Sequence, residues 1–370
     1  MNKGSRTKFL LNKRSQENAL RTLKTVSDDM IDFSSNDYLG LARSAELKKS
    51  IADIYNAQSH KNGSTGSRLL TGNSQLTESC EKTLAALFGF ETTTVFNSGY
   101  MANLAFFSSV PQRGDTVIYD EYAHACIKDG CRLSHAKRLS FKHNDLSDLE
   151  KKLKESAGDI FIACETVYSM DGDVATLQEL VTLAKKYNAK VILDEAHSTG
   201  VYGDFGAGML AEQNLQSDVY AVIYTFGKAM GVHGACIASK ADLKDFIINF
   251  SRPFIYTTAP SAFEIISIIE SFAHLKNNPG LTDRLKENIS HFNKLLPEYA
   301  TPSAIKSIIV GGNSNTKELS NSLQNQGFDI RPILSPTVKE GTERLRVCLH
   351  AFNTTTEISL ICQHIKSVTQ

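Results

Sequence analysis

The chain has 370 residues, with 40 Lys plus Arg balanced by 40 Asp plus Glu, seven Cys and no Trp. That length holds one large domain with an appendage, or two domains, and 41% hydrophobic with 22% charged residues excludes bulk disorder and fibrous repeats. Zero net charge gives no electrostatic reason to bind nucleic acid or an anionic membrane, no apolar run approaches the ~20 residues that span a bilayer, and seven scattered cysteines without a C-x-x-C pair read as buried reduced thiols rather than a zinc site.

The first thirty residues are basic and polar (Lys3, Arg6, Lys8, Lys13, Arg14), with no apolar stretch and cleavage site. They point to a cytoplasmic protein and to a helical arm ending near Val26. Gln75 to Phe88 carries Leu76, Leu84, Leu87 and Phe88 among polar residues, with Asn73 and Ser74 as caps and Gly89 behind, which predicts a helix. Short β-rich runs follow at Thr93 to Phe96, Thr116 to Tyr119, Asp159 to Ala163, Lys190 to Leu193 and Val219 to Thr225. Helical patterns lie between some of them, at Leu146 to Glu155 and Leu177 to Tyr187. Apolar strands alternating with helices predict an α/β fold with a mainly parallel sheet covered on both faces. From about Pro253 the rhythm changes to helices at Ala262 to His274, Leu281 to Leu296 and Leu319 to Gln326, strands at Ser307 to Val310, Ile330 to Leu334 and Arg344 to Leu349, and a last helix. The expected organisation is an arm over 1–40, a large domain over 41–275 and a smaller α+β domain over 276–370.

The sharpest chemical signal is Val191 to His197, V-I-L-D-E-A-H. A buried strand ends there in Asp194 and His197, at the carboxyl edge where open α/β sheets place their ligands. Glu195 by itself reads as a helix cap. D-E-A-H also occurs in nucleic-acid-dependent ATPases, but that reading needs an upstream G-x-x-x-x-G-K-[ST] loop. The only Gly-Lys here, Gly227-Lys228, lies downstream, with Val222 where the first glycine should be and Ala229 after the lysine.

Lys228 follows the apolar run Val219 to Tyr224 between small and apolar neighbours, so its amine is partly desolvated and suited to nucleophilic chemistry. A strand-end Asp, a His three residues on and such a Lys form the set an electron-sink cofactor needs: the lysine holds pyridoxal phosphate through its amine, and the aspartate keeps the pyridine nitrogen protonated. Asn97 to Asn103 turns from a strand into a helix, so the N–H groups of Gly99 and Tyr100 can point at a phosphate. His124, after the Thr116 to Tyr119 run, can stack on a flat ring. No G-x-S-x-G or H-E-x-x-H supports a hydrolase.

These strings, in this order, resemble the pyridoxal-phosphate enzymes of the aspartate aminotransferase fold type (fold type I), and more narrowly the α-oxoamine synthases. Further support comes from Asp32-Phe-Ser-Ser-Asn-Asp-Tyr-Leu-Gly-Leu-Ala42, Gly63-Ser-Thr-Gly-Ser-Arg-Leu-Leu-Thr-Gly72, Ser169-Met-Asp-Gly-Asp173, Pro336-Thr-Val338 and Gly341-Thr-Glu-Arg-Leu-Arg346. The resemblance runs from about residue 19 to the C-terminus. It is strongest to the branch that condenses L-alanine with a pimeloyl thioester, on coenzyme A or an acyl carrier protein, to 8-amino-7-oxononanoate in biotin synthesis. Other acyl donors and amino acids within the family, such as palmitoyl thioester with serine or the glycine C-acetyltransferase reaction, and plain transamination on the same fold, remain alternatives.

The resemblance implies that Lys228 carries the cofactor and moves the substrate's Cα proton, and that Asp194 meets the ring nitrogen. It places His197 and Ser169 on the ring oxygen and His124 on the ring face. It gives the phosphate to Gly99, Tyr100 and Thr225, with Thr257 and Thr258 reaching the phosphate of a second copy in a homodimer. It assigns Arg346 to the amino-acid carboxylate and puts Arg21 and Thr337 near substrate; no metal is implied. Leu334 departs from the pattern, standing where well-known members of that branch carry an arginine, with Arg331 nearest. Arg21, Arg331, Arg344 and Arg346 together are a local basic excess that could meet an anionic substrate.

Overall fold

The computed structural model describes residues 5–25 and 29–369, so the expected end of the arm at Val26 lies outside the described residues. Twelve strands occur among them, in chain order β1 Ile31–Asp32, β2 Thr92–Phe96, β3 Thr116–Asp120, β4 Lys137–Phe141, β5 Ile160–Glu165, β6 Lys190–Asp194, β7 Ala221–Thr225, β8 Ala235–Ser239, β9 Ile305–Ile309, β10 Phe328–Asp329, β11 Arg331–Ile333 and β12 Arg344–Cys348. The chain forms two compact units, one of Asp37–Ser169 and Asp173–Asp283, the other of Met1–Asn36, Met170–Gly172 and Arg284–Gln370.

The first unit is built on a seven-stranded sheet of order β2-β8-β7-β6-β5-β3-β4. All neighbours are parallel except β8, which runs antiparallel to both β2 and β7. Burial explains why the sequence pattern located most of this sheet. Strands β5, β6 and β7 are buried along nearly their whole length, and strands covered on both faces read as continuous apolar runs. Two strands escaped the pattern for opposite reasons. Edge strand β4 (Lys-Arg-Leu-Ser-Phe) is mostly exposed and polar, and central β8 (Ala-Cys-Ile-Ala-Ser) is buried but made mostly of small residues with weak β preference.

The Gln75–Phe88 helix forms as expected. Ser74 Oγ accepts from Thr77 N, and Gly89 closes the last turn at φ 73°, a left-handed position open to glycine at little cost. The Gly99–Ser109 helix has no polar stripe because most of it is covered: Ala102, Ala105, Phe106 and Phe107 have no exposed surface. Its Phe106 meets the Phe161 ring of β5 edge-to-face at 6.3 Å between centroids.

In the second unit, β11-β12-β9 form an antiparallel sheet and β1 pairs in parallel with β10. Cys348 N also donates to Phe33 O at 2.8 Å. These bonds group the N-terminal segment with the C-terminal one. All seven cysteines are buried free thiols. Among the described residues, no helix is long and apolar enough to cross a membrane, and no group of three or more His, Cys, Asp or Glu could hold a metal ion.

One buried cation carries a stability prediction. Lys306 on β9 has no exposed surface, and its ammonium donates to Asn293 Oδ1, Thr301 O and Thr301 Oγ1 at 2.7, 2.8 and 3.0 Å, with no carboxylate partner. Burial lowers its pKa from the ordinary 10.5 to about 7. Between those values the unfolded chain binds a proton that the folded chain does not, so this residue makes stability rise with pH across that window. Lys306→Met is expected to flatten that rise in urea melts taken from pH 6.5 to 10; an unchanged slope would show that Lys306 stays charged when folded.

Candidate active site

Strands β2, β3, β5, β6 and β7 all run the same way, so their carboxyl ends share one edge of the sheet. Each strand is followed within a few residues by an expected site residue. Gly99 and Tyr100 follow β2, His124 follows β3, Ser169 follows β5, His197 follows β6 and Lys228 follows β7; Asp194 and Thr225 are themselves strand ends. Asp194 stands in register with Glu165 on β5 and with Ile223 on β7, which places Glu165, Asp194 and Thr225 on one face.

The Gly99–Ser109 helix covers that face. Asp194 is buried, and its Oδ2 accepts from Asn103 Nδ2 of this helix at 2.7 Å, while its Oδ1 accepts from Ala196 N at 2.8 Å. The helix start lies tight against the end of β7: a Cβ on Gly99 would sit 2.5 Å from Thr225 Cγ2, so only glycine allows the approach. Ser98 caps the helix, accepting from Met101 N. Thr225 Oγ1 and Asn97 Oδ1 are buried beside it without a hydrogen-bond partner, and Asn97 Nδ2 donates to Thr258 O at 3.1 Å. A helix start flanked by unpaired polar oxygens suits an anionic group that brings or accepts protons, as a phosphate does.

His197 is buried, with its Nδ1 2.7 Å from the hydroxyl of Tyr38. His124 is the N-cap of the Ala125–Leu133 helix, its Nδ1 accepting from Cys126 N. Burial lowers the His124 pKa, and Lys228 adds to this against the opposing pull of Asp194, so the ring is neutral at neutral pH. Glu165 shows the converse. Burial, then the negative Asp194, pushes its carboxyl up to about 8, with Lys228 opposing, and its Oε1 has no hydrogen-bond partner. Lys228 itself is half-buried, in the turn closed by Gly231 N donating to Lys228 O. Its charge acts on both His124 and Glu165, so these groups share one site.

Asn103, Glu165 and Tyr38 were not singled out from the sequence. For Glu165 a signal existed, since it ends a buried strand just as Asp194 does. Glu195 holds the structural place expected of it: its buried carboxylate accepts from Met209 N and Leu210 N at 2.9 and 2.8 Å, capping the Met209–Glu212 helix.

The expected substrate residues lie in the other unit. Arg346 Nη2 donates to Asn36 Oδ1 at 2.8 Å, and Arg21 Nη2 donates to Thr337 Oγ1 at 2.8 Å. The expected basic excess is smaller than four arginines. Arg344 is buried and ion-paired with Asp171, and Arg331 Nε stands 2.6 Å from Asp329 Oδ1, so both have carboxylate partners of their own.

The strand-edge set fits pyridoxal phosphate on the structure's own observations. The unpaired Thr225 hydroxyl and the Gly99 approach suit the phosphate, a buried carboxylate suits a protonated ring nitrogen, and a half-buried amine suits the aldehyde. The sequence model of the family Aminotransferase class I and II matches residues 28–365. An 8-amino-7-oxononanoate synthase of Lysinibacillus sphaericus is 37% identical over 345 residues, covering 91% of this chain and 88% of that protein. A solved 8-amino-7-oxononanoate synthase of Francisella tularensis is 29% identical with TM-score 0.80, covering 93% of this chain and 99% of the other. A lysine-to-alanine variant of the serine palmitoyltransferase of S. paucimobilis, solved with a bound PLP–myriocin aldimine, is 26% identical with TM-score 0.88 and covers 98% of this chain and 96% of its own. By these matches the chain belongs to the class I and II aminotransferase family of fold-type I enzymes and, within it, to the α-oxoamine synthases alongside the 8-amino-7-oxononanoate synthases.

Proposed function

We propose that this chain is a pyridoxal-phosphate-dependent acyltransferase. It condenses L-alanine with a pimeloyl thioester to give 8-amino-7-oxononanoate, carbon dioxide and the free carrier thiol, a step of biotin biosynthesis. The strand-edge set supports the cofactor but is common to every enzyme of this fold type. What carries the choice of substrates is the 37% identity with a synthase of that name over 91% of the chain.

When bound, pyridoxal phosphate supplies a conjugated ring that takes up the electron pair left when the amino acid loses its Cα proton. Lys228 Nζ would hold the cofactor and, as a free amine, would be the base that takes that proton. Asp194, oriented by Asn103 and Ala196 N, would hold a proton on the ring nitrogen, in a buried setting where a fixed charge acts strongly. His197, braced by Tyr38, and Ser169 would bond the ring oxygen, and the neutral His124 ring would pack on the cofactor. The Gly99 and Tyr100 amides and the Thr225 hydroxyl would hold the phosphate, joined by Thr257 and Thr258 of a second copy in a homodimer. Arg346, steadied by Asn36, pairs with the alanine carboxylate, and Arg21 and Thr337 border the acyl donor. The enzyme acts in the cytoplasm, a reading supported by its buried free thiols.

Arg346→Ala is expected to raise the KM for alanine about 100-fold, the worth of a lost charge-assisted pair, while the visible cofactor band persists. An unchanged KM would remove Arg346 from this role. The substrate assignment is tested by following thiol release with pimeloyl thioester plus alanine against palmitoyl thioester plus serine. Faster release from the second pair would replace the biotin reaction with sphingolipid-type chemistry.

A further inference from the structure

His143 lies outside the set described so far, in the turn after edge strand β4, yet it is among the most heavily bonded side chains of its unit. Its Nδ1 meets Asp120 Oδ1 and Oδ2 at 2.9 and 3.1 Å, and its Nε2 meets Asp173 Oδ2 at 2.6 Å. The ring stacks on Tyr122 at 4.4 Å between centroids and meets Tyr168 edge-on at the same distance. Asn144 reinforces both ends, its N donating to Asp120 Oδ2 at 3.0 Å and its Nδ2 to Asp173 Oδ2 at 2.8 Å, while His143 N donates to Glu121 Oε1.

Each aspartate in turn organises a segment that carries a site residue, Asp120 through its carboxylate and its carbonyl and Asp173 through its carbonyl. Asp120 ends β3, its Oδ1 accepts from Tyr122 N at 2.7 Å, and its carbonyl accepts from Ala123 N, directly before His124. Asp173 O accepts from Tyr168 N at 3.0 Å, directly before Ser169. We propose that His143 is a positioning residue, a cationic rivet between Asp120 and Asp173 that sets the segments bearing His124 and Ser169 at the separation the cofactor ring requires. The claim rests on the reading of the site given above.

The electrostatics are consistent with a permanent rivet. Burial opposes the charged ring, but the bonds to Asp120 and Asp173 outweigh it and raise the His143 pKa from 6.5 to about 10. The stability it contributes is therefore complete below pH 6.5 and is lost as pH rises through about 10. Across the neutral range the ring donates from both nitrogens, which a neutral imidazole, with one N–H, cannot do.

The test measures the affinity of the apo-protein for pyridoxal phosphate by titrating its visible band, in wild type, His143→Gln, Ser169→Ala and the double variant, with thermal melts alongside. His143→Gln is expected to bind the cofactor about tenfold more weakly, and the double variant to lose clearly less than the product of the two single losses, because the Ser169 contact is already misplaced. Asp173→Asn, which keeps the shape of the site and removes one of the two charges, is expected to reproduce the loss in milder form and stands in should His143→Gln not fold. A lowered melting temperature with cofactor affinity unchanged, or losses that multiply independently, would overturn the positioning role and leave a purely structural one. Wild type that binds no pyridoxal phosphate would overturn the reading of the site itself, a different failure.

Discussion

Lys228→Ala is expected to lower kcat about 10⁴-fold or more, because it removes both the covalent anchor of the cofactor and the base that moves the Cα proton. The surrounding contacts remain: the Gly99–Ser109 helix start, Thr225 and Asp194 are placed by backbone and by Asn103, none of which uses the lysine. The variant should therefore fold and still take up pyridoxal phosphate, but it should lack the visible band of the lysine-linked cofactor and release the cofactor on dialysis. Loss of Lys228 also removes a positive charge that acts on Glu165 and His124, so the pKa of the Glu165 carboxyl should move further up and that of the His124 imidazole should rise. Turnover within tenfold of wild type would place the chemistry elsewhere.

Asp194→Asn has the second largest expected effect, a fall in kcat of about 10²- to 10³-fold, the scale of losing one preorganised charge in a desolvated site. The substitution is nearly isosteric; its one oxygen can keep the bond from Ala196 N and, once the Asn103 amide turns over, its NH2 can donate to the otherwise unpaired Asn103 Oδ1, so the fold should hold. What disappears is the charge that keeps a proton on the ring nitrogen. Removing it also takes away the negative neighbour that helps push the Glu165 carboxyl up, so Glu165 should ionise at lower pH in this variant. Stopped-flow absorbance and kcat measurement decide the matter: kcat within threefold of wild type would show that the ring needs no such partner here.

Much of this site was legible because its chemistry-bearing residues sit directly behind apolar runs. Asp194, His197, Thr225 and Lys228 end or follow strands that are buried on both sides, and such strands announce themselves. Residues that act through tertiary contact left no such mark. Asn103 is a polar residue within a largely apolar helix, and its bond to Asp194 spans 91 positions. Tyr38 reaches His197 across 159 positions. The two-residue pairing of β1 with β10 joins segments nearly three hundred residues apart and is too short to produce a periodic pattern. The arginines show the same limit from the other side: sequence counts charges, and only the fold shows that Arg344 and Arg331 are matched by Asp171 and Asp329.

The central claim is that the chain joins an acyl group to alanine with loss of the alanine carboxyl. The most direct test incubates the holoenzyme with a pimeloyl thioester and L-alanine isotopically labelled at its carboxyl carbon, following labelled carbon dioxide and free thiol together. The account predicts that the two appear in equal amounts, and that both vanish in Lys228→Ala. Conversion of the alanine to labelled pyruvate with no thiol released would contradict it and make the protein an aminotransferase.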